Sequence, residues 1–162
     1  MRIQTAVLAL FIACAGPAPA HDYKIGDLEI EHPHVSATTA NSLSAAGYFG
    51  VTNTGSAPDR LLGFAAEGAT LTLHLSQVDE NGVATMKMLP DGIDLPPGET
   101  VTLAPGALHV MFTGMTAPLV AGQMAHATLI FEKAGRIVVE FKVEAVGAAA
   151  HDHKAAGATG ND

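Results

Sequence analysis

From Leu28 to Val143 the apolar residues of this chain recur at every second position, and no stretch carries a sustained helical period. That alternation limits the fold more than any other feature. A strand turns successive side chains to opposite faces, so each such segment offers one apolar and one polar face. The pattern predicts strands over Leu28–Ile30, Gly47–Val51, Arg60–Phe64, Thr70–Gln77, Val83–Met88, Glu99–Leu103, Leu108–Thr113, Ala125–Glu132 and Arg136–Val143. Turn formers punctuate them: Asn53-Thr54-Gly55, Glu80-Asn81-Gly82, Pro90-Asp91-Gly92, Pro96-Pro97-Gly98, Pro105-Gly106 and Ala134-Gly135. About seven to nine short strands at this spacing predict an all-β fold, an antiparallel Greek-key β-sandwich. Residues 32–46, rich in Ser, Thr and Ala, read as a long loop.

The two ends do not share the pattern. Met1-Arg2 precedes a nearly continuous apolar run, Ile3 to Ala15, and Gly16-Pro17-Ala18-Pro19-Ala20 follows with small residues at Ala18 and Ala20. That run is too short to span a bilayer as a helix. Residues 1–20 therefore read as a secretory signal cleaved before His21, which sends the mature chain to the periplasm. A lipid anchor at Cys14 is the alternative. Residues 21–146 make one domain, and residues 147–162, which hold His151 and His153, offer nothing that buries a core and read as a flexible tail.

Cys14 is the sole cysteine and lies inside the signal segment. The mature domain is thus free of disulfides and Cys-zinc sites, and a blue-copper centre is excluded because its geometry requires a thiolate. With 8 basic against 16 acidic residues the net charge is −8, and no basic stripe for nucleic acid or anionic membrane is present. No Trp and only two Tyr leave no stacking platform for bases or sugars.

What remains chemically is histidine and methionine. In Leu108-His109-Val110-Met111-Phe112, the alternation sends Leu108, Val110 and Phe112 inward and His109 and Met111 outward together. Thr70 to Ser76 alternates likewise and leaves His74 on its polar side, while Met86-Lys87-Met88 lies between the two segments. Two imidazoles and thioether sulfur without a thiolate are the donors that soft, d¹⁰ Cu(I) accepts, whereas hard ions want carboxylate oxygen. Each residue also has an ordinary reading: methionine commonly fills core gaps, and an isolated histidine is commonly a surface residue. His126, beside Leu129 to Phe131, reads as structural, and His32 and His34, flanking Pro33, carry no assignment.

The span from Leu28 to Glu144 resembles the periplasmic copper chaperones called PCuAC, whose signature is His, a further Met, then His-x-Met. The residues that carry the resemblance are Ala46-Gly47-Tyr48, Thr52-Asn53-Thr54-Gly55, Asp59-Arg60-Leu61-Leu62-Gly63, Asn81-Gly82-Val83, Leu95-Pro96-Pro97-Gly98 and Pro105 to Met111. The resemblance implies a cupredoxin-like sandwich with His74, Met88, His109 and Met111 as ligands. It also implies a monomer that delivers Cu(I) to the dinuclear copper site of cytochrome c oxidase subunit II, beside a thiol-bearing copper chaperone. Met86 is the alternative central ligand: the family spacing of about eleven and twenty-one residues falls between the two methionines. Met88 is the better match, because the second Met of such pairs usually aligns with the ligand. Leu75 stands where relatives carry an optional Met, and His32-Pro33-His34 where many carry a Trp-containing stretch.

No Ser–His–Asp order or other catalytic set stands out, so the chain does not read as an enzyme. Two rival readings accompany the chaperone. One is a copper-resistance or storage protein that sequesters Cu(II) through the amino terminus and imidazole of His21 with His151 and His153, since Cu(II) prefers nitrogen donors. The other is a β-sandwich interaction module whose His and Met residues are incidental.

Overall fold

The structure is a computed structural model and describes residues 22–146. The expected signal segment, His21 and the tail with His151 and His153 lie outside the described residues. Eleven strands account for the fold, and no helix occurs among the described residues. They are β1 (Tyr23–Ile25), β2 (Leu28–Ser36), β3 (Ala45–Asn53), β4 (Asp59–Ala65), β5 (Thr70–Val78) and β6 (Ala84–Met88), then β7 (Ile93–Leu95), β8 (Thr100–Leu103), β9 (Leu108–Thr113), β10 (Met124–Phe131) and β11 (Arg136–Glu144). The nine expected strands are all present, eight of them within two residues of their predicted bounds, while β2 runs six residues beyond its predicted end. β1 and β7 are additional; at three residues each they are too short to show an alternation.

The hydrogen-bonded path runs β6-β5-β9-β3-β2-β11-β10-β4-β7, with β1 against β2 and β8 against β3. One pairing departs from the antiparallel expectation: β11 runs parallel to β2 through Lys142–His34 and Glu144–Ser36, so the sheet is mixed. The path folds over a single core. Phe49 meets Phe141 edge-on at 5.8 Å, and Phe141 meets Phe112 at 5.4 Å. The buried side chain of Asn53 ties the far end of the path to its middle, donating from Nδ2 to Leu95 O in β7 and to Ala57 O, both at 2.9 Å. Pairing this amide is what makes its burial tolerable, since an unpaired one costs several kcal/mol, roughly 1–3 by mutational scales.

β2 corrects the sequence reading of residues 32–46 as loop. The strand continues to Ser36, with register shifting between Glu31 and His34. His32 has a φ of 48° there, outside the usual range for a residue with a side chain. The extra residue keeps the buried set in phase: Leu28 and Ile30 point inward before the bulge, Pro33 and Val35 after it. A plain alternation would have turned Val35 to the surface. β3 passes closest to the core at Gly47, where an added Cβ would lie 2.7 Å from Phe112 Cε2. Glycine at this position lets the Phe112 ring seat beside Phe141.

Candidate metal centre

β5, β6 and β9 form one end of the sheet and carry the four candidate ligands. β5 is sandwiched between the other two, antiparallel to both. Leu71 and Leu73 bury its inner face, which leaves Thr72 and His74 on the outer one. In β9 the buried Val110 and Phe112 fix the inner face in the same way, with His109 and Met111 opposite. Register then sets the lateral arrangement. His74 pairs with His109 on one side and with Met88 on the other, so Met88, His74 and His109 lie in one transverse row on one face. Met111 sits one pleat along β9 from His109, directly across from Thr72. Residues directly opposite have Cβ atoms roughly 4.5–5.5 Å apart, within the span that two side chains on one small ion can close.

The same register separates the two central methionines. Met88 faces His74, whereas Met86 faces Ser76, one pleat farther from the imidazoles. Both belong to β6, the terminal strand of the path, and both are exposed, Met88 to 51 % and Met86 to 55 %.

The histidines are not the exposed pair that strand alternation predicts. His109 does occupy the face opposite Val110, but it is only 4 % exposed. The reason is that β9 is interior to the sheet, between β5 and β3, and the His74 ring stacks on it at 5.8 Å and 27°. His109 Nδ1 donates to Ala107 O at 3.0 Å, which leaves the Nε2 lone pair free. His74 Nε2 contacts Thr72 Oγ1 at 2.9 Å, and its Nδ1 is buried with no partner. Burial first, and then the proximity of His109, push the His74 imidazole below its ordinary pKa. Its neutral form is the one the fold favours, so this contribution to stability is present above the unfolded value of about 6.5 and lost as pH falls through the lower folded value. Neutral imidazole is also the form that binds metal.

Other histidines fall elsewhere. His34 pairs with Tyr48 in register, their rings 5.4 Å apart, and its Nδ1 donates to His32 O at 2.9 Å. Two strand spacings, roughly 10 Å, separate it from β9, so it does not join the row. His126, expected to be structural, is exposed and meets Glu140 across β10 and β11 at 3.0 Å. Among the described residues no three His, Cys, Asp or Glu side chains come together. On this face the side chains that lie beside the two imidazoles in register are those of Met88, Met111 and Thr72. Thr72 is the residue that pattern reading passed over, although its place two before His74 on the same polar face was available in the sequence.

Comparison with known proteins bears on the fold and the family. Residues 28–143 match the LpqE-like family, which is named for lipoproteins. A protein of Leifsonia xyli subsp. xyli (strain CTCB07), also named a lipoprotein, is 33 % identical over 154 residues, covering 92 % of this chain and 91 % of its own. Among solved structures, the copper-bound PCuAC domain from PmoF2 is 33 % identical with a TM-score of 0.65, covering 77 % of this chain and 98 % of that domain. The solution structure of the Cu(I) form of DR1885 from Deinococcus radiodurans is 27 % identical with a TM-score of 0.57, covering 77 % of this chain and 81 % of that one. The eleven-stranded cupredoxin-like sandwich, the span from Leu28 to Val143 and these similarities together establish that the chain belongs to the LpqE-like family, as a domain of PCuAC type.

Proposed function

We propose that this chain is an exported copper chaperone that holds Cu(I) between His74, Met88, His109 and Met111 and passes it to a cuproprotein. The observation that carries the reading is the register, which aligns Met88, His74 and His109 across three strands with Met111 one pleat away. The copper named in the matched PmoF2 and DR1885 structures supports the choice of metal. Two neutral imidazoles and two thioethers suit a soft monovalent ion and leave its charge intact, so a better donor can displace them stepwise. The arrangement gives the exchange a direction. His109 is buried with its ring held by Ala107, whereas Met88 is half exposed on the edge strand. Met88 is the ligand that releases first, at the side a recipient reaches.

Substitution of the three methionines tests this. Met88→Leu and Met111→Leu each keep the volume and remove only sulfur, so stability should change by less than about 1.5 kcal/mol, while Cu(I) affinity in competition with a chelator falls. Met86→Leu should leave affinity unchanged. Equal losses for Met86→Leu and Met88→Leu would reject the assignment of Met88 alone, and unchanged affinity in Met88→Leu and Met111→Leu would reject the site.

By family resemblance the recipient is the dinuclear copper site of cytochrome c oxidase subunit II, with a thiol-bearing chaperone as a further partner. Export is supported by the lipoprotein names of the family and of the Leifsonia protein. Those names favour Cys14 as the lipidated first residue of the mature chain over cleavage before His21. The intact mass of the membrane-extracted protein distinguishes the two: a diacylglycerol adduct starting at Cys14, or an unmodified chain starting at His21. Only the second gives His21 the free amine that a Cu(II) chelate needs. The tail histidines, His151 and His153, stay available in both cases, and a weaker Cu(II) site there is our secondary reading. Truncation after Val146 should diminish Cu(II) binding and leave Cu(I) affinity as in the full chain; equal Cu(II) titrations would show that the tail takes no part.

A further inference from the structure

The two imidazoles of the row are held by different partners, and the partner is set in each case by the residue two positions earlier. For His109 that residue is Ala107, which has no polar side chain; its backbone oxygen takes the Nδ1 proton at 3.0 Å, and Nε2 is left with a free lone pair. For His74 it is Thr72, whose hydroxyl lies 2.9 Å from Nε2, while Nδ1 is buried and meets no partner. A neutral imidazole carries one N–H and one lone pair. If the proton of His74 sat on Nδ1, the buried atom without a partner would be an N–H, which no cation can take as a ligand. With the proton on Nε2, it donates to Thr72 Oγ1, and the atom without a partner is a bare lone pair. Thr72 is β-branched and therefore stiff at χ1, and it stands directly across from Met111, inside the group of candidate donors.

Resting on the Cu(I) reading above, we infer that Thr72 is a positioning residue that holds His74 in the Nε2–H form and makes Nδ1 its ligating atom, so that the site binds through Nδ1 of His74 and Nε2 of His109. The hydroxyl does not touch the ion. It fixes the ring orientation and the tautomer, the part that outer partners of metal-binding histidines commonly play. The two nitrogens differ because the fold offers a side-chain acceptor before one histidine and only a main-chain acceptor before the other.

Long-range ¹H–¹⁵N correlation spectra of the full mature chain, labelled in histidine, test this before any metal is added. In the metal-free protein His74 should show a protonated Nε2 and a bare Nδ1, and His109 the reverse. Addition of Cu(I) should then shift Nδ1 of His74 and Nε2 of His109 while the other two nitrogens keep their protons. Thr72→Val should turn His74 into a tautomer mixture and weaken Cu(I) binding by about ten- to a hundredfold, the range for loss of an outer partner. Thr72→Ser, which restores the hydroxyl, should recover most of it, and both variants should keep the wild-type amide spectrum away from β5. Loss of the His74 Nε2 proton on addition of Cu(I), a bare Nε2 in the metal-free protein, or wild-type affinity in Thr72→Val would overturn the inference. If the wild-type chain takes up no Cu(I), the proposed function fails, and the metal-free tautomer of His74 still decides the part played by Thr72.

Discussion

Replacing His109 with Leu should reduce Cu(I) affinity more than about a hundredfold, or about 2.7 kcal/mol, with the sandwich intact. Loss of a direct donor should exceed the ten- to hundredfold effect of losing an outer partner. Leucine roughly fills the imidazole volume, and the interior position of β9 favours an apolar side chain, so stability should stay within about 1.5 kcal/mol of wild type. The Ala107 oxygen that loses the imidazole still accepts from Ser76 N–H at 3.0 Å and belongs to an exposed residue. Chelator competition measures the affinity, and thermal unfolding of the metal-free protein measures the fold. Retained affinity would remove His109 from the site. Lost affinity together with a collapse in stability would assign the residue to packing instead, which is the reading its 4 % exposure invites.

The largest effect on the fold itself is expected at Phe141. The ring is fully buried in β11 and makes edge-to-face contacts with Phe49 and Phe112, one from each of the strands β3 and β9. Truncation to Ala should cost about 3–5 kcal/mol, a large share of the roughly 5–15 kcal/mol that holds a domain together. For a sandwich of this size the midpoint should fall by roughly 10–20 °C. The fall reflects lost packing and not a lost ligand. Saturating Cu(I) should therefore raise the midpoint of Phe141→Ala about as much as that of wild type. A fall of only a degree or two would show that the Phe49–Phe141–Phe112 cluster does not hold the two halves of the sheet together.

The sequence by itself determined which face of each strand is buried. Leu71 and Leu73 in β5, Val110 and Phe112 in β9, and Val139, Phe141 and Val143 in β11 occupy alternate positions, and one face of a pleated strand needs no tertiary information to be recognised. His74 and Met111 could therefore be assigned to outer faces, and glycine turns such as Pro90-Asp91-Gly92 could be placed, because a positive φ such as the 76° of Gly92 excludes most other residues.

Three features depended on the tertiary structure. The bulge at His32 is a single-residue phase slip whose cost is met only once Pro33 and Val35 find the core, so residues 32–36 resembled loop in isolation. The parallel partnership of β11 with β2 joins segments about a hundred residues apart, beyond the reach of any local pattern. The different surroundings of Met86 and Met88, equal in strand phase, come only from register against β5, which sets Met88 opposite His74 and Met86 opposite Ser76. His109 follows the same rule. Its strand phase gave its face, but only the flanking of β9 by β5 and β3 decided that this outer face is buried there, because exposure depends on neighbours in space that alternation along one strand does not encode.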